Sequence, residues 1–306
     1  MEYRLSGLVA ATYTPMDDAG RLNLVEVPSL VERLIGEGVR GLYVCGSTGE
    51  GASLTGGERR LVAEAFVEAA ARRVSVIVQV GHNSVSEAAE LAAHAQGIGA
   101  DVVSAVAPSY FKVGTVELLV ECMESIASAA PDLPFYYYHI PALSGATLDM
   151  ARFLEQAGTR ICNLAGIKYT CPTVHEYQIC HEFDNGRFDI VWGADEMLLS
   201  ALVAGARGAI GSTYNIAAPL YQRLVAAFDA GDLEEARRLQ YQSVTMIRTI
   251  YQFPFHPAMK QIMKMLGTDC GRCRLPQPRL SDAEVAELHE RLDQIGFFNW
   301  GRPRAD

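Results

Sequence analysis

Lys168 stands in the middle of an apolar run, residues 164–170, Leu-Ala-Gly-Ile-Lys-Tyr-Thr. Only four of the chain's 26 basic residues are lysines, so lysine is not its default surface cation. Buried lysines are rare without a partner or a task. Burial disfavours the ammonium and lowers its pKa from about 10.4, where only about 0.04% of the amine is neutral at pH 7. A neutral buried amine is the nucleophile that Schiff-base chemistry on a carbonyl needs. The competing reading is a lysine near a strand end whose head reaches solvent, and the stretch alone does not separate the two.

Other chemistry-bearing groups cluster in four short segments. Gly46-Ser47-Thr48-Gly49-Glu50-Gly51 is a small, hydroxyl-rich turn whose amides and two hydroxyls suit a carboxylate. It lacks the Gly-Lys-Ser/Thr ending of a phosphate loop, and it also reads as a turn that merely holds small residues. In Phe135-Tyr136-Tyr137-Tyr138-His139-Ile140-Pro141, alternation sends Tyr136 and Tyr138 to one face and Tyr137 to the other. Tyr138 beside a lysine amine is placed to relay protons; Tyr136 and Tyr137 read as packing, and His139 as structural. Trp192-Gly193-Ala194-Asp195-Glu196 sets two acids at a helix start, where the helix dipole alone would favour them. Gly211-Ser212-Thr213-Tyr214-Asn215 is a second polar turn. Together the acids, hydroxyls and glycine amides suit a polyhydroxylated substrate, with no arginine or lysine cluster beside them for a phosphate ester.

Regular alternation of elements positions these groups. β-rich runs occur at Gly7–Thr12, Gly41–Gly46, Val74–Gly81, Ala100–Ala107, Pro134–Ile140, Leu164–Thr170, Phe188–Ala194 and Gly208–Tyr214. Most are near-continuous apolar runs, as parallel strands covered on both faces require. Between them lie alanine-rich helical segments such as Thr55–Arg73, Ser84–Gln96 and Thr115–Ala130. Eight strand–helix alternations predict an α/β fold, a closed (β/α)8 TIM barrel with its chemistry at the C-terminal strand ends. A doubly wound open sheet would usually carry Gly-x-Gly-x-x-Gly after its first strand, and none is present. Residues 217–231, 232–251, 257–266 and 281–295 read as further helices. The expected organisation is a barrel over residues 1–231 and a C-terminal helical extension over 232–306.

With 306 residues, 49% of them hydrophobic, the chain can bury a large core. A net charge of −10 argues against nucleic acid or an anionic membrane as partner. No run of 18 apolar residues occurs, and the N-terminus lacks a signal-peptide pattern. Seven scattered cysteines suit a reduced cytoplasm. Cys270 and Cys273 form a lone C-x-x-C without the second pair a structural zinc site wants. Neither metal nor cofactor is expected.

Taken together, the Gly46–Glu50 turn, Val80-Gly81-His82-Asn83-Ser84, Tyr138 with Ile140-Pro141, and Gly166-Ile167-Lys168 make a family pattern in order and spacing. The chain resembles, along essentially its whole length, the dihydrodipicolinate synthase/N-acetylneuraminate lyase superfamily of pyruvate-dependent aldolases. The resemblance implies that Lys168 forms an imine with the keto carbon, that Ser47 and Thr48 hold the pyruvate carboxylate, and that Tyr138 shuttles the proton. It also implies a homotetramer. Synthase members place an arginine two residues after the strand-five proline, where this chain has Leu143. Ile140-Pro141-Ala142-Leu143-Ser144-Gly145 and the Gly211–Asn215 turn are similar to the sialic acid lyase branch, and His139 is similar to the animal members. In that branch Thr170, Gly193, Asp195, Glu196 and Ser212 would contact the sugar's hydroxyls and glycerol-like tail. The expected activity is cleavage of sialic acid to N-acetylmannosamine and pyruvate. Two alternatives stay open: an aldolase or dehydratase acting on another 2-keto acid, and a barrel that binds a keto acid without turning it over.

Overall fold

The computed structural model describes residues 3–300. Eight parallel strands close into one barrel in sequence order: β1 Gly7–Ala11, β2 Gly41–Val44, β3 Ser75–Gln79, β4 Val102–Val106, β5 Phe135–His139, β6 Leu164–Tyr169, β7 Asp189–Trp192 and β8 Gly208–Gly211. Every strand falls inside a run read from the sequence, and β8 pairs back onto β1. The outer ring comprises α1 Val27–Gly36, α2 Gly56–Ala70, α3 Val85–Gly97, α4 Val116–Ala127, the short α5 Pro141–Ser144, α6 Met150–Arg160, α7 Val174–Glu182, α8 Leu198–Val203 and α9 Tyr214–Asp229. The chain thus has the (β/α)8 architecture with helices added at its C-terminus.

Strand alternation divides the apolar residues into two layers. Val9, Tyr43, Ile77, Tyr136, Tyr138 and Val191 pack against one another inside the barrel. Their sequence neighbours, among them Leu42, Val44, Tyr137, Ile190 and Trp192, pack outward beneath the helices. Four of the ring helices start on side-chain caps: Thr55 with Glu58 forms a capping box on α2, and Ser84, Thr115 and Asp149 cap α3, α4 and α6. Each such cap contributes about 1 kcal/mol.

Two features of β6 place the site. Its pairing with β5 slips between Phe135 and Tyr136, which face Leu164 and Gly166 and leave Ala165 unmatched. A bulge of this kind re-aims the strand that carries it. Gly166 then lets β7 close in, because a Cβ there would lie 1.7 Å from the Asp189 carbonyl oxygen. Above the bulge, Tyr138 is level with Lys168, which in turn is level with Val191. Level residues of parallel neighbours share a face, so Tyr138 and Lys168 both point into the barrel.

Beyond the barrel lie α10 Leu233–Ile250, α11 Phe255–Met265, α12 Asp282–Gln294 and α13 Phe297–Trp300. The α9 helix begins three residues before the sequence-based start of 217. It departs from helical geometry at Ala217, ahead of the internal Pro219, which is where proline disrupts a helix. The last six residues of the expected extension, 301–306, lie outside the described residues. α10 packs along α9 and over the segment that follows β7. α11 reaches back further: the Lys260 ammonium lies 2.8 Å from the Glu50 carboxylate and donates to the carbonyls of Thr14 and Arg272. Glu50 also accepts the Arg274 amide at 2.7 Å. A buried ion pair thus ties the turn after β2 to the added helices.

Candidate active site

The Lys168 side chain is 4% exposed, and its ammonium nitrogen lies between two aromatic faces, 3.7 Å from the Tyr138 ring centre and 4.1 Å from that of Tyr43. Burial pulls its pKa below the ordinary lysine value, while Tyr138 and then Asp195 pull it part of the way back. The two rings meet edge to face at 5.7 Å, and the Tyr43 hydroxyl is anchored 3.1 Å from the Ser104 hydroxyl. A buried amine with a depressed pKa, seated against a phenol, is a prepared nucleophile.

Around this amine the ends of the other strands supply polar groups. The turn after β2 carries Ser47, half-buried, and Thr48, buried. Its backbone is forced: Cys45 and Glu50 both adopt left-handed conformations (φ 58° and 56°), and a Cβ on Gly51 would meet the Cys45 carbonyl oxygen at 1.9 Å. The Thr48 hydroxyl lies 2.6 Å from that of Ser212, so the turns after β2 and β8 meet over the end of β1. Thr14 donates to the Gly49 carbonyl at 2.6 Å, and Asn215 donates to the carbonyls of Ala11 and Ser212. Both turns are therefore held from beneath by buried side chains.

Asp195 occupies the third side. It does not cap the helical turn it opens. Instead it accepts from the Thr213 amide at 2.9 Å and from the Thr213 hydroxyl at 2.6 Å. With its proton committed to the carboxylate, Thr213 must accept from Tyr221 at 2.6 Å, and Tyr221 from Ser243 at 2.9 Å. A directed chain of hydroxyls thus runs from α10 through α9 to the carboxylate. Gln240 on α10 adds a donor to the Asp195 carbonyl at 3.2 Å. Burial nevertheless lifts the Asp195 carboxyl to about 6. Gly211 makes room for it, since a Cβ there would meet an Asp195 oxygen at 1.8 Å. Gly193 does the same for Thr170, whose hydroxyl would be 2.0 Å from an added Cβ. The Thr170 hydroxyl oxygen is buried and has no hydrogen-bond partner among the described residues. Glu196, next to Asp195, is exposed.

The structure thus brings Lys168, Tyr138, Ser47, Thr48, Thr170, Gly193, Asp195, Glu196 and Ser212 to the same C-terminal mouth. His139 is elsewhere: it packs outside the barrel between Tyr137 and Tyr169, and burial lowers its pKa to about 4. Tyr136 points inward but toward the opposite end, donating to Asp189 at 2.7 Å. Sequence reasoning missed Tyr43, Thr213, Tyr221 and Ser243. Inward alternation along β2 pointed to Tyr43; nothing local pointed to Tyr221 or Ser243, whose role depends on helix packing.

Residues 4–295 match the dihydrodipicolinate synthetase family. The chain is 40% identical to the N-acetylneuraminate lyase of Xenopus tropicalis over 277 residues, 89% of this chain and 90% of that one. Among solved structures it is similar to Proteus mirabilis N-acetylneuraminate lyase, with a TM-score of 0.94, 36% identity and coverage of 96% of this chain and 100% of that one. The sialic acid aldolase of Aliivibrio salmonicida gives the same TM-score at 38% identity, covering 96% and 98%.

Proposed function

The chain belongs to the dihydrodipicolinate synthetase family, and we propose that within it the protein is a class I aldolase that cleaves N-acetylneuraminate to N-acetylmannosamine and pyruvate through an imine on Lys168. The observation that carries this reading is the Lys168 amine, buried against Tyr138 and Tyr43 with its pKa depressed. The branch within the family is supported by the names of the relatives and by Leu143, which stands where a synthase would hold its second substrate's carboxylate with an arginine.

In this mechanism neutral Lys168 attacks the open-chain ketone of the sugar acid. The carbinolamine loses water to give a protonated imine. As the C4 hydroxyl gives up its proton, the C3–C4 electron pair flows into the imine, releasing the aldehyde of N-acetylmannosamine and leaving an enamine. Tyr138 relays that proton, with the substrate's own carboxylate as the base behind it. Protonation of the enamine at C3 and addition of water then free pyruvate and restore the amine. The imine is itself the electron sink, so the reaction calls for no cofactor or metal.

Ser47 and Thr48 hold the carboxylate in this reading, and the Thr48–Ser212 contact joins that seat to the sugar subsite. The unpartnered Thr170 hydroxyl is offered to a sugar hydroxyl, Asp195 orients a further one, and exposed Glu196 meets the glycerol-like tail at the rim. We further infer a homotetramer acting in the cytosol. Tyr110 and Phe111, 79% and 84% exposed on the loop after β4, are the surface such an assembly would cover. The seven unpaired cysteine thiols suit a reducing compartment.

Steady-state cleavage of N-acetylneuraminate against 2-keto-3-deoxygluconate tests the substrate. Preference for the second would move the protein to another branch. Tyr138→Phe should keep imine formation and lose most turnover; cleavage at the wild-type rate would refute the proton relay.

A further inference from the structure

At the N-terminal mouth of the barrel, the end opposite Lys168, a cavity of about 440 Å³ opens between the starts of β1, β2 and β3. Leu5 and Val9 contribute to its lining, and its polar lining includes Arg4, Arg40, Arg72, Arg73, Ser75 and Asp101. Four guanidiniums against one carboxylate is a local reversal of the chain's charge of −10. Two are visibly occupied: Arg73 grips Glu32 with both terminal nitrogens, at 2.9 and 2.5 Å, and Arg4 donates to the Gly186 carbonyl. Asp101 is occupied too, accepting the Val76 amide at 2.8 Å. Arg40 and Arg72 have no carboxylate partner among the described residues.

Backbone in left-handed conformation borders both arginines. Ala71 and Arg72 are consecutive left-handed residues (φ 47° and 59°) at the end of α2. Each costs about 1–2 kcal/mol that glycine would avoid. The Arg40 stem lies against Gly7, where an added Cβ would be 3.0 Å from its Cγ and where φ is +72°. Guanidiniums are forked donors that match phosphate and carboxylate oxygens in pairs. A cavity of this volume is within the range of small-molecule sites.

We propose that this mouth is a second ligand site, distinct from the Lys168 site, that takes a small anion carrying two phosphate groups, bridged between Arg40 and Arg72. The phosphates come either as inorganic pyrophosphate or on a bisphosphorylated metabolite, and the chemistry recognised is the same.

The test is calorimetric titration of the full chain with inorganic pyrophosphate at low ionic strength, with and without saturating pyruvate. Saturable binding, one per chain, with a dissociation constant on the order of 1 mM or below is expected, unaffected by pyruvate. Arg40→Ala/Arg72→Ala should weaken it about 100-fold, roughly tenfold for each fork lost. Both side chains are exposed, so the double variant should keep the wild-type melting temperature. Lys264→Ala, beside a separate cavity at α11, should bind as wild type. Fructose 1,6-bisphosphate binding more tightly than pyrophosphate would identify a metabolite as the source, and the reverse order would favour the inorganic anion. Absence of saturable binding by either, displacement by pyruvate, or undiminished binding in the double variant would overturn the proposal.

Discussion

Replacing Asp195 by asparagine should stabilise the protein, and increasingly so as the pH rises. The asparagine oxygen still accepts from the Thr213 amide and hydroxyl, so the substitution removes chiefly the charge. Burial lifts the carboxyl from its ordinary 3.8 to about 6. At 1.36 kcal/mol per pKa unit, ionising it in the fold costs about 3 kcal/mol more than in the unfolded chain. The sign follows from proton counting. Between pH 3.8 and 6 the folded protein holds the proton and the unfolded chain has lost it, so wild-type stability falls as the pH rises through that window. The cost is about 1 kcal/mol at pH 4.5 and its full value above pH 6 to 7. The variant's advantage should therefore grow by about 2 kcal/mol between pH 4.5 and pH 8. Denaturant unfolding of both proteins at matched concentration measures it, and titrating groups that do not interact with Asp195 cancel in the difference. An advantage that stays flat with pH, or shrinks, would mean that burial does not dominate at this carboxylate.

Three further outcomes follow from the same geometry. Lys260→Met leaves Glu50 charged and buried, and should cost about 3–5 kcal/mol in denaturant unfolding, with Glu50→Gln/Lys260→Met recovering much of it; equal stability of the single and double variants would contradict the coupling. Tyr221→Phe breaks the hydroxyl chain without touching substrate, and should raise KM severalfold with kcat little changed; a loss confined to kcat would count against a positioning role. Gly193→Ala drives a methyl into the Thr170 hydroxyl, so steady-state kinetics should show weakened sugar-acid binding with imine formation from pyruvate intact.

What the sequence conveyed was whatever is local. Near-continuous apolar runs marked most of the eight strands, because a parallel strand buried on both faces needs no polar alternation. Alternation within Tyr136-Tyr137-Tyr138-His139 placed Tyr138 inward and His139 outward, as the inner cluster and the ring contacts of His139 with Tyr137 and Tyr169 have them. Lys168 was singled out by its apolar surroundings and its rarity. What stayed hidden depends on distant segments meeting. Asp195 looked like a helix-start acid, yet its partner is Thr213, eighteen residues on and across a strand boundary. The hydroxyl chain behind it ends at Ser243 on a helix outside the barrel. Glu50 read as part of a polar turn, and its pairing with Lys260 spans over two hundred residues. Such long-range polar pairs leave no periodicity to read.

Cleavage by this route requires Lys168 to form a covalent imine with the keto acid. Incubating the protein with N-acetylneuraminate, reducing with borohydride and mapping the modified peptide by mass spectrometry tests it directly. A reduced pyruvyl adduct on Lys168 is the predicted result. An adduct from pyruvate but not from sialic acid would keep the aldolase and reject the substrate. No adduct from either would rule out imine chemistry and leave Lys168 a structural lysine.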